Sequence, residues 1–259
     1  PRIRLPDAVI TALRSSFFNA CFFGVCMLFG LATALALPLP RRATQWSFRL
    51  WVRAVLWLSR VVAGLDYEVR GEEHIPAGGA VFASKHQSAW DVGIFHVVTE
   101  DPAYVLKKEL LLIPFYGWTL RKAAMIDIDR AGGASELKRM VRKAGQALAW
   151  GRGIIIFPQG TRIAPGERRP YHPGVAALYA RTSAPVVPVA LNSGYFWGRR
   201  SFLKYPGVIT IEFLPPMPEG LDRRSFMAEL EARIETASER LTREAAAKYP
   251  RRVAGALEP

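Results

Sequence analysis

From Phe17 to Leu37 the chain reads FFNACFFGVCMLFGLATALAL, 21 residues with no charge and only Asn19 and Thr33 as clearly polar side chains. As a helix this run is roughly 31 Å long, enough for a hydrocarbon core of about 30 Å. Two readings follow: a helix held in a membrane, or a core helix followed by an amphipathic surface helix. A cleaved signal peptide would have a shorter apolar stretch, although Arg2, Arg4 and Arg14 imitate its basic start. Arg41, Arg42, Arg49 and Arg53 follow the run, so both flanks are basic and the bias of positive charge gives no orientation. A second segment, Trp46 to Leu65, mixes Trp51, Trp57 and several Val and Leu residues with Arg49, Arg53 and Arg60, as an interfacial helix does when long basic side chains snorkel to headgroups. Two helices that enter and leave one leaflet put both basic flanks on one face. The expectation is a membrane-embedded helical hairpin over residues 1–64.

Charge narrows the partners. Lys and Arg number 35 against 22 Asp and Glu, giving +13 at pH 7, so anionic lipid, phosphorylated substrates and nucleic acid all come into view. Nucleic acid is the least supported, because the Arg residues are scattered and many Trp and Phe lie in the apolar segment. Half of the residues are apolar, which excludes a disordered chain. Cys21 and Cys26, both within the apolar run, exclude a disulfide framework and read as small hydrophobes; no Cys and His spacing resembles a zinc site.

After Gly64 the pattern becomes short β-prone runs between helical stretches. Strands are expected at Tyr67–Val69, Ala80–Ser84, Tyr104–Leu106, Met125–Ile128, Ile154–Phe157, Val186–Ala190 and Ile209–Phe213. Helices are expected at Ser88–Val98, Phe115–Lys122, Ala134–Trp150, Val175–Thr182 and Arg223–Lys248. Several strands are apolar throughout, as they are when helices cover both faces of a sheet. The fold class is α/β, a mixed, mostly parallel sheet covered by helices, occupying residues 65–259 with no internal linker. The last helix, rich in Arg and Glu, reads as solvated.

The chemistry concentrates in Lys85-His86-Gln87-Ser88-Ala89-Trp90-Asp91, directly after an apolar run. In one continuous helix His86 and Asp91 would point about 140° apart and never meet. If a strand ends near His86 and a helix starts at Ser88, Asp91 in the first turn can reach back to one imidazole nitrogen. The other nitrogen then faces a cleft at the strand's carboxyl end, poised to remove a proton. The competing reading is a capping box, with Ser88 as N-cap and Asp91 at its third helical position. A second segment, Ile154 to Arg162, is an apolar strand opening into Phe157-Pro158-Gln159-Gly160-Thr161-Arg162; Gly160 allows close backbone approach, and the Arg162 fork suits phosphate oxygens. Arg130 ends the segment from Met125, with Asp127 either paired to an Arg or facing water, and Lys107 and Lys108 follow the strand at Tyr104.

In this order the segments resemble the glycerolipid acyltransferase family typified by 1-acylglycerol-3-phosphate O-acyltransferases, over about residues 65 to 215. The family's first motif matches at His86 and Asp91, and its second ends at Arg130, with Ala124 where Gly is frequent. The third matches Phe157 to Arg162, except that Gln159 stands where Glu is more usual, and the fourth is similar to Val187-Pro188-Val189.

The resemblance implies that His86 is the general base on a lysophospholipid hydroxyl and that Asp91 fixes its tautomer. Direct attack on an acyl-CoA or acyl carrier protein thioester then follows, with no acyl-enzyme, metal or resident cofactor. Arg130 and Arg162, with Lys107 or Lys108, would hold the substrate phosphate. Backbone N–H groups around Gly160, in the loop Pro158, Gln159, Gly160 and Thr161, would receive the oxyanion. The missing carboxylate at Gln159 would make the phosphate pocket more positive. His74, His96 and His172 match no motif and read as structural or surface residues. The expected product is phosphatidic acid, made at anionic lipid on the cytoplasmic face of a bacterial inner membrane. Acylation of lyso-ornithine lipid or another lysophospholipid is the first alternative, and a non-catalytic basic membrane-binding module is the second.

Overall fold

A computed structural model describes residues 5–129 and 131–250. Two long helices, α1 (Leu5–Leu35) and α2 (Arg41–Leu58), precede the sheet; a short π-helical turn, Ser59–Ala63, ends at Gly64 in the left-handed conformation (φ 66°). The strands are β1 (Leu65–Arg70), β2 (Val81–Ser84), β3 (Ala103–Lys107), β4 (Ile126–Ile128), β5 (Ile154–Ile156), β6 (Val186–Leu191) and β7 (Gly207–Phe213). Between and after them lie α3 (Trp90–Val98), α4 (Tyr116–Lys122), α5 (Gly133–Ala149), α6 (Gly174–Arg181), the four-residue α7 (Ser193–Phe196) and α8 (Arg223–Lys248).

The seven strands form one sheet in the order β1-β7-β6-β2-β5-β3-β4. Only the β6–β7 pair is antiparallel, so β2 through β6 run one way and β1 and β7 the other. A mixed, mostly parallel sheet is therefore present, and all seven expected strands lie where the sequence puts them. Alternation along β2 and β5 divides two cores: Phe82 and Ile155 face α1, α2 and α3, whereas Val81, Ala83, Ile154 and Ile156 face α5, α6 and α8. Pro188 lies inside buried β6, an unusual place for a residue without an N–H. It sits just before Val189, where antiparallel pairing with β7 starts.

The N-terminal helices share the first core, so residue 64 marks a change of element and not a break between cores. Phe18 packs edge-on to Trp197 at 5.3 Å, and Phe29 meets Phe48 and Trp51 of α2. Lys204 donates from its backbone to Ser15 Oγ (3.0 Å) and from Nζ to Asn19 Oδ1 (2.8 Å). Contacts from Ser15 to Phe29 cover about 21 Å of helix, so α1 lies along the α/β unit. Its other face, including Phe17, Phe23, Met27, Leu28, Leu31 and Leu35, is exposed. By length and composition Ala8–Leu35 is apolar enough to cross a membrane.

Two expectations are corrected here. Of the basic residues expected to snorkel, Arg49 does not reach outward to headgroups, and Arg41 of the basic flank is likewise engaged within the protein. Arg41 forms a two-pronged pair with Asp101, and Arg49 donates to the carbonyl oxygens of His96, Thr99 and Glu100 at the end of α3. Orphan carbonyls at a helix C-terminus attract a guanidinium, and here that attraction outweighs solvation. Nor is α8 a solvated helix: Phe226, Leu230, Ile234, Ala237, Leu241 and Ala245 form a buried stripe on the sheet. Its Arg and Glu residues occupy the outer face, which disguised the stripe.

Candidate active site

In a parallel stretch of sheet every strand's carboxyl end opens on the same edge. His86 follows β2, Phe157 to Arg162 follow β5, Lys107 ends β3, and Asn192 and Ser193 follow β6. Strand order thus gathers segments far apart in sequence into one crevice. Arg130 lies outside the described residues.

His86 Nδ1 stands 2.9 Å from Asp91 Oδ2, which also accepts the backbone N–H groups of Gln87 (2.6 Å) and Ser88 (2.7 Å). Asp91 Oδ1 accepts from Ser193 Oγ at 2.5 Å, and the residue is wholly buried (0% exposed). Four donors thus converge on one carboxylate, which offers only acceptors when ionised. In the neutral ring the Nδ1 proton points to Asp91, leaving the Nε2 lone pair directed away from it. The imidazole stacks on Phe157 at 4.1 Å between centroids, and its backbone oxygen accepts from Ile163 N–H (2.8 Å). Ring plane and backbone are both fixed.

The expected N-cap is corrected. Helix α3 starts at Trp90, Ala89 is the cap position, and Ser88 Oγ accepts from Trp90 N–H at 3.2 Å. Asp91 performs the half of the capping box that reaches back to Ser88 and contacts His86 through the same oxygen, so the two readings of this segment coexist. Ser193 was missed. Its signal is slight: a small polar pair, Asn192-Ser193, at the end of an apolar strand.

A cavity of about 600 Å³ opens beside His86. Its lining includes the polar groups His86, Lys107, Gly160, Thr161 and Arg162 together with the apolar side chains of Phe29, Phe48, Trp51, Tyr104, Leu120 and Met125. Among the described residues no carboxylate lies within ion-pair distance of Lys107 or Arg162. Lys108 instead turns to Asp129 at 3.6 Å. Asp127 is held by Arg139 (2.9 Å) and Lys143 (2.6 Å); burial pushes its carboxyl up, but these cations bring it down to about 2. Ala124 adopts the left-handed conformation (φ 53°), which accounts for a preference for Gly there.

The turn after β5 departs from expectation at Gln159. Gly160 (φ 67°) closes it by donating its N–H to Phe157 O at 2.9 Å, so that N–H already has an acceptor. Gln159 does not enlarge the positive cavity wall. It is buried and donates to Glu235 Oε1 at 3.3 Å, on the side away from the cavity lining. Pro158 is also buried, its carbonyl accepting from His172 N–H (2.8 Å). Of the other histidines, His74 Nδ1 meets Phe213 O at 2.9 Å, His172 is exposed, and His96 is buried against Phe48 and Tyr104 at the cavity wall. Burial, with the nearby Arg49 charge, lowers the His96 imidazole to about 4. No group of His, Cys, Asp and Glu suited to a metal occurs among the described residues.

The acyltransferase family profile matches residues 66–192. The chain is 37% identical over 230 residues to the 1-acyl-sn-glycerol-3-phosphate acyltransferase of Pseudomonas aeruginosa, covering 88% of this chain and 90% of that one. It is 27% identical to a lyso-ornithine lipid O-acyltransferase of the same organism, over 77% of this chain and 80% of the other. The crystal structure of a 1-acyl-sn-glycerophosphate acyltransferase from Thermotoga maritima superposes with a TM-score of 0.73 at 20% identity, covering 88% and 96%, and shows the same fold.

Proposed function

The chain belongs to the acyltransferase family of 1-acyl-sn-glycerol-3-phosphate acyltransferases, and from that premise we propose a mechanism in which His86, oriented by Asp91, is the general base. His86 Nε2 takes the proton of the sn-2 hydroxyl of 1-acylglycerol-3-phosphate as that oxygen attacks the thioester carbonyl carbon. The tetrahedral intermediate collapses with loss of the C–S bond, and the imidazolium returns its proton to the departing thiolate. The products are phosphatidic acid and free thiol. Asp91 fixes the reactive tautomer and offsets the imidazolium charge.

The observation that carries this reading is His86 in the wall of a cavity that combines cationic and apolar lining. Lys107 and Arg162 line it without a carboxylate partner among the described residues and suit a phosphomonoester, which positions the hydroxyl near His86. The apolar remainder suits an acyl chain. Within the turn after β5, the N–H groups of Thr161 and Arg162 are the candidates for the oxyanion, since Gly160 N–H already meets Phe157 O. Because a thiolate leaves readily, the reaction as proposed uses no metal or resident cofactor. The donor is an acyl-CoA or acyl carrier protein thioester.

The exposed face of α1 and the outward Trp46, Leu50 and Trp57 of α2 suit insertion into one leaflet; the leaflet of this reading is the cytoplasmic one. A lysolipid then presents its headgroup to the crevice while its chain stays in lipid.

The test is acyl transfer from a thioester to 1-acylglycerol-3-phosphate or lyso-ornithine lipid in mixed micelles, followed by thiol release. Transfer to the phosphate acceptor is expected, and His86→Ala should lower kcat by about 10²- to 10⁴-fold. Transfer to lyso-ornithine lipid alone would move the acceptor, and no transfer to a broad lysolipid panel would overturn the mechanism.

A further inference from the structure

Directly before the base, Lys85 points the opposite way, into the protein. Its Nζ lies 2.7 and 2.8 Å from the two carboxylate oxygens of Glu235 on α8, with Lys85 2% and Glu235 4% exposed. Glu235 Oε1 also accepts from Tyr171 Oη (2.8 Å) and from Gln159 Nε2 (3.3 Å). Gln159 Oε1 is buried without a hydrogen-bond partner among the described residues. The position nearest this carboxylate in the turn after β5 is thus a neutral amide satisfied on one side only.

These four side chains connect the two segments that build the crevice. Lys85 precedes His86, Gln159 lies between Phe157, which stacks on His86, and Arg162, and Tyr171 precedes His172, which bonds to Pro158. A buried ammonium stripped of its carboxylate carries a large desolvation cost and draws its surroundings out of place. Resting on the reading of His86 as the base, we propose that Glu235, outside the matched residues 66–192, is a positioning residue of the transferase site. It supplies the negative charge that holds β2's end against the turn after β5. Because Lys85 Nζ and Gln159 Nε2 both donate to Glu235 Oε1, the carboxylate and the amide are exchangeable between positions 235 and 159.

The experiment compares Glu235→Gln, Gln159→Glu and the double exchange in the full chain, in mixed micelles, with kcat and both KM values measured below each variant's unfolding temperature. Glu235→Gln leaves Lys85 unpaired, and Gln159→Glu sets two carboxylates against one ammonium. Each single change should lower kcat by about tenfold or more with the acceptor KM shifted less than about threefold, and the double should return to within about threefold of the parent. Parental kcat in both single variants, a double no better than either single, or lowered unfolding temperatures with unchanged kcat would overturn the proposal. Should the single variants fail to fold, the double decides alone: near-parental turnover supports the exchange, and its loss sinks it. His86→Ala run alongside separates the two readings. If it is as active as the parent, the dyad fails; if it is inactive while the exchange variants match the parent, only the role of Glu235 fails.

Discussion

At the residue scale the site rests on one carboxylate with four donors. Asp91 holds the imidazole by one oxygen and Ser193 by the other, so rotation of the carboxylate would break contacts on both sides. In the proposed mechanism the chemistry and the headgroup clamp fall on different residues, which makes them separable. Lys107 and Arg162 line the cavity but touch neither member of the dyad through any described hydrogen bond. Arg162→Ala, and Lys107→Ala to a lesser degree, should therefore raise the KM for 1-acylglycerol-3-phosphate by about ten- to a hundredfold, as loss of a charge-assisted contact does, with kcat lowered less. Steady-state kinetics over acceptor concentration read this directly, and an unchanged KM in both variants would remove the clamp. His86, Lys107 and Arg162 stand out in the sequence beside apolar strands and Asp91 five residues after His86, and the family resemblance, not that placement alone, gives them their expected roles. Ser193 carries only the slight signal of a small polar pair after an apolar strand, and nothing local distinguishes Glu235 from the other acidic residues of α8.

At the element scale the largest difference between sequence and structure concerns α2. Its basic residues divide between two environments: Arg42 and Arg53 are exposed, whereas Arg41 and Arg49 bind the α/β unit. Sequence periodicity cannot distinguish a guanidinium that snorkels from one that caps a neighbouring helix, because both lie beside the apolar stripe. Arg49 donates to three carbonyl oxygens at the end of α3, the helix that carries Asp91. Arg49→Ala should destabilise the folded protein by about 2 kcal/mol, a typical value for hydrogen bonds from a charged donor. Arg49→Lys should recover only part, because a single ammonium does not span the three acceptors. Thermal unfolding in detergent measures both, and an alanine variant as stable as the parent would mean that solvent replaces these bonds without loss.

At the scale of the whole molecule, two cores sandwich one sheet, and the first is shared between the N-terminal helices and the catalytic fold. His96 lies in that shared core, with its imidazole lowered from 6.5 to about 4 by burial and by Arg49. Between these values the unfolded chain binds the proton and the folded chain does not, so stability falls as pH drops from 6.5 towards 4. The loss from this one group is about 3 kcal/mol. Asp127, lowered to about 2, works in a separate window below its ordinary 3.8. Denaturation between pH 6.5 and 4 should show a shallower decline in His96→Phe, which keeps the ring stack, and an equal decline would remove His96 as the cause. Hydrophobic period and turn chemistry are local, so the strands and helices are legible in the sequence; whether Asp91 pairs with His86 or only caps α3 stays open there until the ordered motifs of the family resemblance are taken together. Tertiary structure alone decided which strands are neighbours. That order put the turn after β5 against His86, sent Gln159 inward, and brought Glu235 to Lys85 across 150 residues. Such pairings arise from packing and burial among distant segments, and no local pattern encodes them.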